Sequence, residues 1–244
     1  RYPSYNSHDS GSGYPSRGAL QAYNRLAVND FQSDMLAKYG SLNGVNNAWG
    51  TSLVAASQIQ PPSNAESFFS SGDYRFTAYG KDFIDWYNQS LVDHGKTVLQ
   101  TVLDSLGTTF PQAAVGYKIP GVHWAMGHPT WPRAAEAAAG LIRTSADMGS
   151  PATGYGYKNI VSVAKSVNSS GRKVVLHFTC LEMDNANSAP QYSRAKDLVF
   201  WVAAEAAAQG VSIKGENALS GGITGDYGWN LINNAFDYAS YSGF

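Results

Sequence analysis

Apolar residues recur at helical spacing over much of this chain and gather into short continuous runs between those stretches. From Ala19 to Tyr39 the positions Leu20, Tyr23, Ala27, Phe31, Met35 and Leu36 predict a helix stopped by Gly40. Leu42, Val45, Ala48 and Trp49 predict a second, short helix within Ser41 to Thr51. The longest pattern runs from Asp82 to Leu106, with Phe83, Trp86, Leu91, Val98, Val102 and Leu106 on one face and Gly107 at its end. Further helices are expected over Arg133 to Arg143 and over Tyr157 to Val167, the latter ended by Ser169-Ser170-Gly171. Another should run to Gln209 from a Ser193 cap, and a last one, capped by Asp226, should carry Trp229, Ile232, Ala235, Phe236 and Ala239. The continuous runs Ala114 to Trp124, Lys173 to Thr179 and Val211 to Gly215 read as buried strands. Residues 1 to 18 read as a long loop, Ser57 to Arg75 as a connection, and Pro151 to Gly156 as a glycine-containing loop.

Strands that alternate with helices pair in parallel, because each crossover needs a helix to return the chain. The expectation is therefore an α/β fold. A (β/α)8 barrel requires eight strands, whereas three are predicted here and the chain ends at Ser242-Gly243-Phe244, where another strand could begin. A three-stranded parallel sheet would leave two long edges open, which natural folds avoid. Residues 1–244 thus read as one partial domain.

Composition narrows the ligand. Charged residues are only 14% of the 244 positions, with Tyr (15), Trp (6) and Gly (25) abundant, a surface suited to neutral, hydroxyl-rich ligands rather than phosphates. A net charge of -1 gives no electrostatic footprint for nucleic acid or an anionic membrane. No segment approaches the about 20 apolar residues that cross a bilayer. Cys180 is the single cysteine, so no internal disulfide can form, and without a His or Asp at a convincing local spacing it reads as a buried, inert thiol. His94, His128 and His177 form no metal-ligand spacing, and Gly154-Tyr155-Gly156-Tyr157 lacks the lysine-hydroxyl pair of a phosphate cradle. The chain opens with Arg1-Tyr2-Pro3-Ser4-Tyr5 and no signal peptide, as a mature or cut chain would.

Three strand ends deliver polar residues after apolar runs, and in a barrel all would face one crevice. The first offers Lys118, His123 and Trp124, the second Thr179 and Glu182, the third Glu216 and Asn217. A glycosidase needs a carboxylate that takes a proton from water beside groups that hold sugar hydroxyls, which Glu216 and Asn217 could divide between them. A strand-end Glu can equally cap the next turn. Lys118 and His123 are five residues apart, so strict alternation separates them unless Pro120-Gly121 bends the backbone. His123 can be a satisfied structural histidine. Trp124 can be core, although its ring face also suits the apolar face of a pyranose.

These segments together resemble a known family. Arg1-Tyr2-Pro3-Ser4-Tyr5, Lys118 with Gly121-Val122-His123-Trp124, Phe178-Thr179-Cys180-Leu181-Glu182-Met183 and Gly215-Glu216-Asn217-Ala218-Leu219 look like the successive signatures of β-amylases, glycoside hydrolase family 14. Asn6-Ser7-His8-Asp9 and Lys38-Tyr39-Gly40-Ser41 fit the bacterial branch. The resemblance implies a (β/α)8 TIM barrel of which this chain holds the part after strand four to the start of strand eight. It implies secreted enzymes that release maltose from the non-reducing ends of starch with inversion. By motif, Glu216 would be the general base and Thr179 would contact sugar and hold the attacking geometry. Lys118, His123, Asn217 and the backbone of Ala218 would bind glucose units, with Trp124 and Tyr5 nearby. The family's general acid would lie just upstream of Arg1, so the expected partners are starch or amylose, maltose, and an N-terminal half of the same domain. No cofactor is required, and any structural calcium would belong to that preceding part; no starch-binding domain is expected within these residues. Two alternatives stay open: a barrel β-galactosidase, suggested by Lys38-Tyr39-Gly40 and Asn47-Ala48-Trp49-Gly50-Thr51, and a starch-binding protein without turnover.

Overall fold

A computed structural model describes residues 20–143, 149–216 and 220–243, which fall into two compact units. One takes residues 20–90 and 128–143, the other residues 91–127 and the described residues from 149 onward.

The first unit is helical. Helix α1 (Arg25–Tyr39) starts later than the apolar spacing suggests, because Asn24 caps it by accepting from the Ala27 amide at 3.0 Å; Gly40, at φ 75°, ends it as expected. Ser41 caps α2 (Leu42–Trp49). The stretch read as a connection contains a 3₁₀ turn (Ala56–Gln58) and two short helices, α3 (Ala65–Ser70) and α4 (Asp73–Phe76). Asn64 supplies the α3 cap and Gly72, at φ 83°, separates the two, so residues that signal turns here delimit helical turns. Helix α5 (Ala78–Leu106) begins earlier than expected, with Thr77 Oγ1 accepting from the Gly80 amide at 2.9 Å. Helix α6 (Ala134–Ala138) is shorter than expected, since Gly140 at φ 72° turns the chain and Asn88 donates to its carbonyl at 2.8 Å.

Aromatic rings fill this unit's core: Phe31 and Phe83 meet edge to face at 5.6 Å, with Trp86 4.9 Å from Phe31. Asp82 is buried beside them, and its carboxylate accepts from Lys38 Nζ (2.6 Å), Tyr39 OH (2.7 Å) and Trp49 Nε1 (2.7 Å). Arg133 grips Glu136 with two hydrogen bonds, at 2.8 and 2.7 Å, and both are buried.

The second unit is α/β. Strands β1 (Val115–Lys118) and β2 (Val174–Phe178) pair in parallel, Lys118 opposite His177. Between them runs α7 (Lys158–Ser166), and after β2 come a two-residue antiparallel ribbon, β3 (Asn185–Ala186) with β4 (Ser193–Arg194), and α8 (Ala195–Gln209). Strand β5 (Ser212–Gly215) pairs in parallel on the other side of β2, and α9 (Asp226–Tyr238) follows. Beyond β5 the chain returns: Ser242 donates to the Ile213 carbonyl at 2.9 Å and Gly215 to that of Gly243 at 2.8 Å. These strand-helix repeats are the expected portion of a (β/α)8 barrel.

Four local expectations are corrected. The first strand ends at Lys118 rather than running to Trp124, because Pro120 has no N–H to continue the ladder. Ser193 is not the α8 cap; it lies in β4. On the second half of α5 the buried positions are Val92, Leu99 and Leu103, while Leu91, Val98 and Val102 are each at least 38% exposed. The pattern held apolar residues at both sets of positions, and tertiary packing chose the neighbouring stripe. The Asp226 side chain does not cap α9, and Trp229 stays exposed.

Candidate active site at the carboxyl ends of the strands

Strand β5 ends at Gly215, and Glu216 follows at once. Two strands away, Lys118 is the last residue of β1. Neighbouring strands are about 4.8 Å apart, so these backbones are separated by roughly twice that, a gap that a lysine and a glutamate can close only with both chains extended over the end of β2. They do so: Lys118 Nζ donates to Glu216 Oε1 in an ion pair. The Glu216 side chain is 28% exposed, so water can reach the carboxylate.

The end of β2 lies beneath this bridge. Thr179 is half-buried and Cys180 turns into a left-handed conformation at φ 70°. Gly121 lies against both: a Cβ there would come within 2.5 Å of Cys180 Sγ and 2.9 Å of Thr179 Cγ2. The Pro120-Gly121 bend thus seats the first strand's continuation on the Thr179 turn, a contact that only glycine permits. Burial, reinforced by the neighbouring Glu182 and Glu216 side chains, pushes the Cys180 thiol up to about 12, so it is neutral and unsuited to nucleophilic work.

His123 goes elsewhere. Its Nδ1 is 2.8 Å from Ser193 Oγ and its carbonyl accepts from the Arg194 amide at 3.1 Å, which ties the segment to β4. Burial holds the imidazole below the ordinary histidine range, so it is neutral near pH 7. Trp124 meets the His123 ring edge to face at 5.6 Å, and its buried Nε1 has no hydrogen-bond partner among the described residues. The structure therefore brings Lys118 and Glu216 into contact, packs Thr179 beside Gly121, and anchors His123 and Trp124 on the β4 side. Tyr5, Asn217 and Ala218 lie outside the described residues. Ser193, read from sequence as a helix cap, is the site-side residue that was missed; its bond to His123 links positions 70 apart, and no local pattern signals it. Among the described residues no group of three His, Cys, Asp or Glu side chains could hold a metal ion.

A water-accessible carboxylate at the carboxyl ends of parallel strands lies where α/β barrels carry their active sites. Comparison with known proteins places it. The sequence profile described as glycosyl hydrolase family 14 matches residues 1–241. The chain belongs to glycosyl hydrolase family 14. Among family 14 relatives, a β-amylase of Bacillus cereus is 41% identical over the whole chain, and a thermophilic β-amylase of Thermoanaerobacterium thermosulfurigenes 40%. The chain spans 40% of the length of each. The crystal structure of the catalytic domain of β-amylase from Paenibacillus polymyxa superposes with a TM-score of 0.82 at 37% identity, over all of this chain and 53% of that one. Family 14 membership sets aside the β-galactosidase alternative.

Proposed function

We propose that the full-length protein is an inverting exo-hydrolase of α-1,4-glucosidic bonds, releasing maltose from the non-reducing ends of starch and related glucans. The observation that carries this reading is the Lys118–Glu216 ion pair at the strand ends of a family 14 barrel. Glu216 takes a proton from a water as that water attacks the anomeric carbon from the face opposite the leaving group. Lys118 is freed from the ion pair to a sugar hydroxyl when a glucan enters. Thr179, His123, Asn217, Ala218, Trp124 and Tyr5 complete the sugar contacts. The leaving oxygen is a poor leaving group until protonated, so a second carboxyl, supplied by the part of the enzyme preceding Arg1, stands roughly 6.5 to 9.5 Å from Glu216 with room for the water. We place this protein outside the cell and assign it no cofactor.

The test is product analysis with the full-length enzyme on amylose. Maltose should appear first as the β-anomer, and Glu216→Gln should still bind amylose while turnover falls about 10²- to 10⁴-fold. Initial release of α-maltose, or near-normal turnover by the variant, would overturn the assignment. Amylose binding with no turnover by the unaltered enzyme would support the non-catalytic alternative instead.

A further inference from the structure

Glu182 has no task in the proposed reaction, yet it belongs to the turn that carries Thr179 and packs against Gly222, in the stretch that follows Glu216. It sits in the turn after β2, closed by the Met183 amide donating to the Cys180 carbonyl at 3.0 Å. The residue is 8% exposed, and its Oε2 has no hydrogen-bond partner among the described residues. Burial raises its carboxyl above the ordinary glutamate range, which favours the neutral form. The side-chain stem fills a notch between two glycines. A Cβ on Gly222 would come within 2.4 Å of Glu182 Cγ, and one on Gly228 within 3.6 Å of Glu182 Cβ. Gly222 belongs to the 3₁₀ turn Ser220–Ile223, shortly after Glu216, and Gly228 to the first turn of α9. Two residues past Glu182, Asp184 accepts from Tyr227 OH, a second attachment of the same turn to α9. Titratable groups near the notch among the described residues include the Cys180 thiol, which Glu182, Glu216 and Lys118 all influence, and the Asp184–Tyr227 pair.

A buried carboxyl costs stability that an apolar side chain of similar size would not. What this one supplies is a fixed spacing. We propose that Glu182 is a positioning residue: seated between Gly222 and Gly228, it holds the Thr179 turn in register with the segment that carries Glu216, so that sugar contact and general base address the same bond. This rests on the glycosidase reading above.

The test uses the full-length enzyme and maltopentaose, well below the unfolding temperature. Glu182→Ala is expected to lower kcat about ten- to hundredfold with KM changed less than about threefold, the scale of a displaced catalytic contact. Glu182→Gln, of the same shape, should return kcat to within about threefold of the unaltered enzyme, and Gly222→Ala, which forces Glu182 out of its notch, should resemble Glu182→Ala. Loss of thermal stability with unchanged kcat would overturn the proposal, and so would a Gln variant as slow as the Ala variant. Hydrogen exchange of the amides from Thr179 to Asp184 reads the same register without turnover: it should be at least about tenfold faster in Glu182→Ala and near normal in Glu182→Gln. Unchanged exchange in Glu182→Ala would overturn the proposal even if the unaltered enzyme released no maltose, an outcome that by itself would refute only the glycosidase reading.

Discussion

In the helical unit Asp82 is 6% exposed and takes three hydrogen bonds, whereas at the strand ends of the other unit Glu182 is 8% exposed and its Oε2 takes none from the described residues. The contrast extends to the charged pairs. Arg133 and Glu136 are almost wholly buried and joined by two bonds, but Lys118 and Glu216 keep 47% and 28% of their side chains exposed. A buried carboxylate whose oxygens are fully used contributes to the fold and has nothing left for a ligand. A partly exposed carboxylate at a strand end, such as Glu216, can exchange its lysine for a sugar or a water. The first unit is built as a scaffold, and the second holds the groups to which the proposed reaction is assigned.

Removing a partner from the scaffold should therefore cost stability rather than turnover. The largest such effect is expected for Glu136→Ala, which removes the buried carboxylate that Arg133 grips and should lower unfolding free energy by about 3 to 5 kcal/mol in urea titration. A loss below about 1 kcal/mol, the worth of a surface pair, would erase the distinction between the units. Asp82→Asn comes next. It weakens the acceptor shared by Lys38, Tyr39 and Trp49 and should cost about 1.5 to 3 kcal/mol with kcat on amylose unchanged; a fall in kcat would mean that the scaffold acts in the chemistry.

The smallest effect is a pH dependence. Glu182 has a raised carboxyl in the folded state, so the stability of its protonated form is fully present below the ordinary glutamate value of about 4.3 and is lost as pH rises through the folded value. Glu182→Gln stays neutral throughout. Its Tm should exceed that of the unaltered protein by a margin that widens as pH is raised from about 4; a margin independent of pH would show that the carboxyl is not held in its neutral form.

The helix stops were legible in the sequence, because a left-handed glycine is a local requirement: Gly40, Gly107 and Gly210 sit at φ 75°, 48° and 64°. The three buried strands and their parallel pairing were legible too, since continuous apolar runs between helical stretches leave little else to form. So was the special position of Glu216, through the glycine before it and the strand before that. Only the tertiary structure decided which stripe of α5 is buried, since Leu91, Val98 and Val102 are as apolar as the Val92, Leu99 and Leu103 set that packs. It also gave Ser193 to His123, 70 residues away, and Lys118 to Glu216, 98 residues away. Periodicity records how a residue repeats along its own element, whereas these pairings depend on which strand ends the sheet order brings side by side, and no single segment carries that information.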